Sequence, residues 1–267
     1  MTYFIYANSV VATSTGVLSG GVAFAFGCEN WLLYGLFAFF STLIVYNGQR
    51  LVKAQVLGTN PWLAWVKRNT RVIYAFIVLS LLASIILFIE LINNTTSYIL
   101  LGITVVVAIL YVLRIGNRNA REIPYLKIHL IAFTWTVVLI VFPLINEQKE
   151  APWWLIIAHY IYVLAVAIPF DIRDLKHDLP SQKTIPQVLG VNGAKTMGAF
   201  LLLLFATIMV WNQENLLTNP IFYFAIFLQI YLVIRMNENR SDFYCAGWID
   251  GAILLLGVSY FYGGLQV

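Results

Sequence analysis

Runs of about 20 uncharged, mostly apolar residues recur along almost the whole chain, and no other feature constrains its fold as much. Twenty residues of helix rise about 30 Å, the thickness of a bilayer's hydrocarbon core. Within that layer every backbone N–H and C=O must be bonded inside the segment, so each run is read as a helix. Nine spans are expected, at about 3–27, 31–51, 71–92, 97–114, 125–145, 152–170, 194–212, 219–235 and 245–263. The chain of 267 residues is 61% hydrophobic and 10% charged, against about 25% charged in a soluble domain. The expected fold is an all-α polytopic bundle of about nine transmembrane helices. No soluble domain fits between the spans, so residues 1–267 read as one domain. The first apolar stretch lacks a basic leader region and reads as the first span, not as a cleavable signal.

Charge sorts the connections. Of the 16 Lys and Arg, all but Lys149 fall in the connections after spans two, four, six and eight, or at their edges. The opposite connections carry Glu29, Glu90, Glu147, Glu150 and Glu214. Basic loops stay in the cytoplasm. The expectation is therefore an integral protein of a bacterial-type inner membrane with a cytoplasmic N-terminus, and any site should open to the cytoplasm. The net charge of +4 is thus a topology signal and does not point to nucleic acid. Cys28 and Cys245 stand far apart without a ligand-like pattern, which predicts neither a disulfide nor a zinc site.

Span six runs straight into "FDIRDLKHDLP" (170–180). Asp171, Asp174 and Asp178, spaced three and four apart, fall on one helical face, with Arg173, Lys176 and His177 pointing elsewhere. Clustered carboxylates repel unless a cation compensates them. Mg²⁺, a hard ion that retains water and takes phosphate oxygens, suits them and would bridge to a diphosphate. Spacing alone fits equally a solvated helix end with ordinary aspartate–lysine pairing.

"DIRDLKHDLPSQKTIPQVLG" (171–190) resembles the second aspartate-rich motif of the UbiA superfamily of intramembrane prenyltransferases. Asp171, Asp174, Asp178, Lys183, Thr184, Pro186, Leu189 and Gly190 fill its places. "LYVLRIGNRNAREIPYLKIHLIAFTW" (110–135) is similar to the family's passage from span four to span five, with Tyr111 and Lys127 at its tyrosine and lysine. The resemblance implies helices around a central cavity open to the cytoplasm. It implies two acidic motifs facing each other, each holding Mg²⁺ on a polyprenyl diphosphate. Loss of diphosphate then leaves an allylic cation for a lipid or aromatic acceptor to attack. The implied metal ligands are Asp171, Asp174 and Asp178, and the implied substrate-binding residues are Asn47, Tyr111, Lys127 and Lys183, to which the departure described next adds Arg50.

The first motif departs from the family. In "NGQRLVKAQ" (47–55), Asn47 matches, but Gly48, Leu51 and Gln55 stand at the aspartate places. Arg50, one turn from Asn47, is positioned to bind phosphate directly with a planar, multidentate cation. Snorkelling to the headgroups is the alternative for Arg50, and the expected role of Lys53, which is expected to point away. Asp250 belongs either to the site or to an ordinary first helical turn. His159 reads as a hydrogen-bonded interior residue, and Tyr160 and Tyr162 as packing or cavity lining. "VLGTNPWLAWVKRN" (56–69) reads as an interfacial anchor, with a lid over the site as the other option. The functional expectation is a prenyltransferase-like enzyme. Its alternatives are a silent isoprenoid- or protein-binding relative and a cyclase-type relative, with transport weaker because no paired Gly/Pro interruptions are present.

Overall fold

The computed structural model describes residues 2–56, 61–112, 114–115, 118–176 and 178–263. Seven of its helical segments are long and apolar enough to cross a membrane: Trp31–Ala54, Thr70–Leu91, Thr95–Val112, Leu126–Asn146, Trp153–Asp174, Ile185–Asn212 and Tyr244–Tyr262. The expected first and eighth spans are helical but shorter, at Ser9–Ala25 and Pro220–Ile234. The described fold is thus an all-α membrane bundle, relieved only by a two-residue ladder pairing Arg114–Ile115 with Arg118–Asn119.

The helices are numbered in chain order. α1 (Thr2–Tyr6) and α2 (Ser9–Ala25) were expected to be one span. The chain breaks between them because Asn8 takes a left-handed conformation (φ 59°), which asparagine tolerates better than most residues. The buried amide of Asn47 holds that break. Its Nδ2 donates to Ala7 O (3.1 Å), and its Oδ1 accepts from Asn8 Nδ2 (3.0 Å). α3 (Trp31–Val56) follows, then the short α4 (Pro61–Arg68), α5 (Thr70–Leu91) and α6 (Thr95–Val112). α7 (Leu126–Thr136) continues through a π-helical stretch, Val137–Val141, into α8 (Phe142–Asn146). α9 (Trp153–Asp174) has Pro169 inside it, and α10 (Ile185–Asn212) bends at Gly190, where φ is 70°. α11 (Pro220–Ile234) and a second π-helical stretch, Tyr244–Ile249, lead into α12 (Asp250–Gly263).

Small residues let three helices approach closely. A Cβ on Gly257 of α12 would lie 2.6 Å from Leu18 N of α2, and one on Gly16 of α2 would lie 2.9 Å from Gly35 O of α3. Close backbone approach is how membrane helices gain packing contact in the absence of a hydrophobic drive between them. The main core joins Leu18, Tyr34, Phe142, Tyr162, Phe205 and Tyr260. Leu79, Ile86 and Ile89 of α5 and Ile99 and Val105 of α6 are exposed. A large apolar surface of this kind suits lipid and not water. Both cysteines are buried and unpaired, and burial pushes the Cys28 thiol up to about 12.

Candidate active site

α3, α4, α6, α7, α9 and α12 line a partly open cavity whose empty space, open solvent included, is about 1130 Å³. Its walls divide by chemistry. Val107, Leu130, Ile131, Val163, Val166 and Ile253 form an apolar part together with the rings of Tyr46 and Trp135. Arg50, Lys53, Lys127, Arg173, Asp171 and Asp174 form a charged part.

The three aspartates do not share one face. α9 ends at Asp174, and Asp178 follows in a turn closed by its N–H donating to Asp174 O (2.9 Å). Asp171 and Asp178 converge on a single ammonium. Lys127 Nζ lies 2.8 Å from Asp171 Oδ1 and 2.7 Å from Asp178 Oδ2. All three side chains are at least nine-tenths buried. Asp174 turns instead to Arg173, whose Nε donates to its Oδ1 at 2.8 Å. Arg173 was expected to point away. The helix end frees its long side chain to reach back to the neighbouring carboxylate and to place Nη1 3.7 Å from Asp242 Oδ1.

Local backbone brings Lys127 to this place. Tyr125, in a left-handed conformation (φ 64°), starts α7, and its N–H donates to Gln182 O (2.9 Å) in the segment after α9. Two positions on, Lys127 sits in the first turn, beside the end of α9. The fit to Mg²⁺ is poor. Among the described residues no group of three or more His, Cys, Asp and Glu is arranged to hold a metal ion. Each motif carboxylate is already paired with a cation of the chain.

The remaining expected residues separate. Tyr111 lines the cavity. Lys183 is exposed and is not part of the described lining. Asn47 also lies outside the lining; it is fully buried in the α1–α3 junction described above. Arg50 lines the cavity with its guanidinium over the Trp62 ring, 3.7 Å from the centroid. Lys53, expected to point away, lines it as well. The expectation measured direction from Asn47, but the cavity face of α3 is centred on Tyr46, Gln49, Arg50 and Lys53. Four-residue spacing of Tyr46 and Arg50 was a readable signal for that face. Among the described residues neither Arg50 nor Lys53 has a carboxylate within ion-pair distance.

The segment after α3 does more than anchor. Trp62 is 2% exposed, stacks on Tyr6 at 5.2 Å, donates from Nε1 to Tyr6 O (2.9 Å) and lines the cavity. Lys67 and Arg68 on the same short helix are exposed. Residues 57–60 of that segment, His177 and the side chain of Gln55 lie outside the described residues. Asp250 starts α12 and also lines the cavity, so its two sequence readings coincide. His159 is an interior residue, with Nδ1 2.9 Å from Leu155 O and Nε2 3.0 Å from Tyr260 OH. Tyr162 packs on Phe205 at 4.9 Å, and Tyr160 OH lies 2.8 Å from His129 Nδ1. Both tyrosines lie outside the described lining.

Fold and site together define a polytopic helical membrane protein with an amphipathic cavity between its helices. Its fold is that of solved UbiA homologues. One from Archaeoglobus fulgidus, bound to GPP and Mg²⁺, is similar over 97% of this chain and 98% of its own, with a TM-score of 0.62 and 16% identity. The apo UbiA homologue from Aeropyrum pernix K1 is similar over 96% of both chains, with a TM-score of 0.63 and 14% identity. A digeranylgeranylglyceryl phosphate synthase structure is similar over 100% of this chain and 98% of its own, with a TM-score of 0.58 and 13% identity. At these identities the likeness is one of fold. No family model matches the sequence, and no curated protein does.

Proposed function

We propose that residues 1–267 act as one UbiA-like domain that binds a polyprenyl diphosphate and transfers its isoprenoid chain to a lipid or aromatic acceptor. The site would lie at the cytoplasmic face of a bacterial-type inner membrane, with the N-terminus inside. The observation that carries this reading is the division of the cavity. Cations gather at one part and apolar and aromatic side chains at the other, in a fold shared with a homologue bound to GPP. The basic connections support the orientation.

In this reading Arg50 and Lys53 of α3, with Lys127 of α7, take the phosphate oxygens. The allylic C–O bond breaks, and its electron pair leaves with the diphosphate. Fixed cations facing the departing oxygens stabilise that charge as it develops. The allylic cation left behind faces the rings of Tyr46, Tyr111 and Trp135, whose π faces favour positive charge. An acceptor lone pair or π bond closes the new bond to carbon, and the acceptor then loses a proton. The Mg²⁺ and Cd²⁺ complexes are those of UbiA homologues from Archaeoglobus fulgidus. Because the carboxylates of this chain are already paired, no step is routed through a metal.

The pairing of Asp171 and Asp178 with Lys127 also favours a second reading, a silent relative that binds the isoprenoid without cleaving it. Purified protein in detergent, supplied with geranyl diphosphate and a panel of lipid and aromatic acceptors, separates the readings. Transfer predicts diphosphate release matched by prenylated product. Binding without release indicates the silent relative. Release with no acceptor product indicates cyclase-type chemistry. Absence of both binding and release removes the proposal.

A further inference from the structure

We infer that Lys127 stands where a divalent metal would stand, and that this cavity takes its isoprenoid diphosphate without one. The inference rests on the isoprenoid-diphosphate reading above.

Three observations on different helices carry it. Lys127 Nζ contacts Asp171 Oδ1 and Asp178 Oδ2 at 2.8 and 2.7 Å, inside a buried cluster. A divalent ion on those oxygens would meet a positive charge already seated between them, in surroundings that screen little. An ammonium has three donors. Two are engaged by the aspartates, which leaves the third for a ligand in the cavity that Lys127 lines.

On the opposite wall, α3 carries Gly48, Leu51 and Gln55 where acids would be needed to hold a second metal. The same turns put Arg50 and Lys53 into the cavity. Among the described residues neither forms an ion pair with a carboxylate, so both keep their donors for a ligand. Cations at these positions perform the electrostatic task of a metal directly. Arg50 adds a planar fork suited to phosphate oxygens.

Arg173 supplies a separate sign. Its Nη1 is buried without a hydrogen-bond partner, and the 3.7 Å to Asp242 exceeds hydrogen-bond distance. Buried donors are rarely left unpaired unless something else meets them. Arg173 lines the cavity, so a ligand oxygen is the natural partner. The lining thus carries four cations, Arg50, Lys53, Lys127 and Arg173, against the carboxyls of Asp171, Asp174 and Asp250 before any ligand enters, and its α3 side is set for an anion.

The test is a calorimetric titration of geranyl thiolodiphosphate, an analogue slow to ionise, into the detergent-solubilised full chain, once in EDTA and once in Mg²⁺. The expected Kd values agree within about twofold, a free-energy difference smaller than a single hydrogen bond. Binding that appears only with Mg²⁺ overturns the metal-free inference and leaves the isoprenoid-diphosphate reading standing. Absence of binding in both buffers removes the reading itself. A second measurement uses Mn²⁺ alone, followed by its paramagnetic resonance. Wild type should leave the free-ion signal intact, and Lys127→Met, by freeing the two carboxylates, should diminish it. Depletion of the signal by wild type, or none by a folded Lys127→Met, overturns the assignment of Lys127 to the metal's place. The wild-type arms stand whether or not the variant folds.

Discussion

The two charged walls of the cavity follow opposite rules. On the α9 wall every motif carboxylate is matched from within the chain: Asp171 and Asp178 by Lys127, and Asp174 by Arg173. On the α3 wall Arg50 and Lys53 have no carboxylate partner among the described residues, and Arg50 rests on the Trp62 ring. A wall that satisfies its own charges contributes to the fold and sets the shape of the cavity. A wall that leaves them open is free to bind. Losses of stability should therefore be largest on the α9 wall, and losses of affinity without loss of stability should mark the α3 wall.

The largest expected effect breaks the α9 wall. Lys127→Met leaves two buried carboxylates facing each other, and stranding buried charge costs about 3–5 kcal/mol of folding stability. Thermal unfolding in detergent should show a lower midpoint, partly restored by Mn²⁺ in the variant but not in wild type. An unchanged midpoint would mean that the pairing is not structural.

Next in size is the α3 wall. Arg50→Ala should lower affinity for the diphosphate analogue by about 1.5–3 kcal/mol, the range of a hydrogen bond to a charged group. Arg50→Lys should recover only part of that, because a point charge lacks the planar fork. Stability should change little in both variants. Equal affinity of wild type and Arg50→Ala would end the phosphate-contact assignment.

Lys53→Ala should weaken binding too, by about 1 kcal/mol, since one flexible ammonium contributes a single point charge. This reverses the sequence expectation that Lys53 faces away, and titration beside Arg50→Ala checks it. Trp62→Leu should cost about 0.5–2 kcal/mol of affinity through lost orientation of Arg50. In the Arg50→Ala background the same change should cost almost nothing, so a double-mutant cycle reads the coupling directly. The smallest effect belongs to Lys183→Ala. This exposed side chain lies outside the cavity and should move neither quantity beyond about 0.5 kcal/mol.

Sequence and structure agree where the physics is local. Apolar runs place the helices because hydrocarbon imposes internal hydrogen bonding on each segment separately. The loss of acids from 47–55 is likewise visible in the residues alone, as is the aspartate series from 171 to 178. The break of the first span at Asn8 is not legible in the sequence, where 3–27 reads as one span. That break depends on the partner amide of Asn47, 39 residues away from Asn8.

What the chain determined by itself was an all-α membrane bundle with most of its basic residues in alternate connections, one intact acidic series and one degenerate one. Tertiary structure alone decided which cation answers that acidic series. Spacing along α9 allowed either a metal or a lysine, and the choice fell to Lys127 because the backbone bond from Tyr125 N–H to Gln182 O carries α7 to the end of α9. It also decided that Lys53 enters the cavity and that Trp62 packs over Arg50. A charge-assisted hydrogen bond needs contact at about 3 Å, and no rule of helical spacing says which residues, distant in the chain, will come that close.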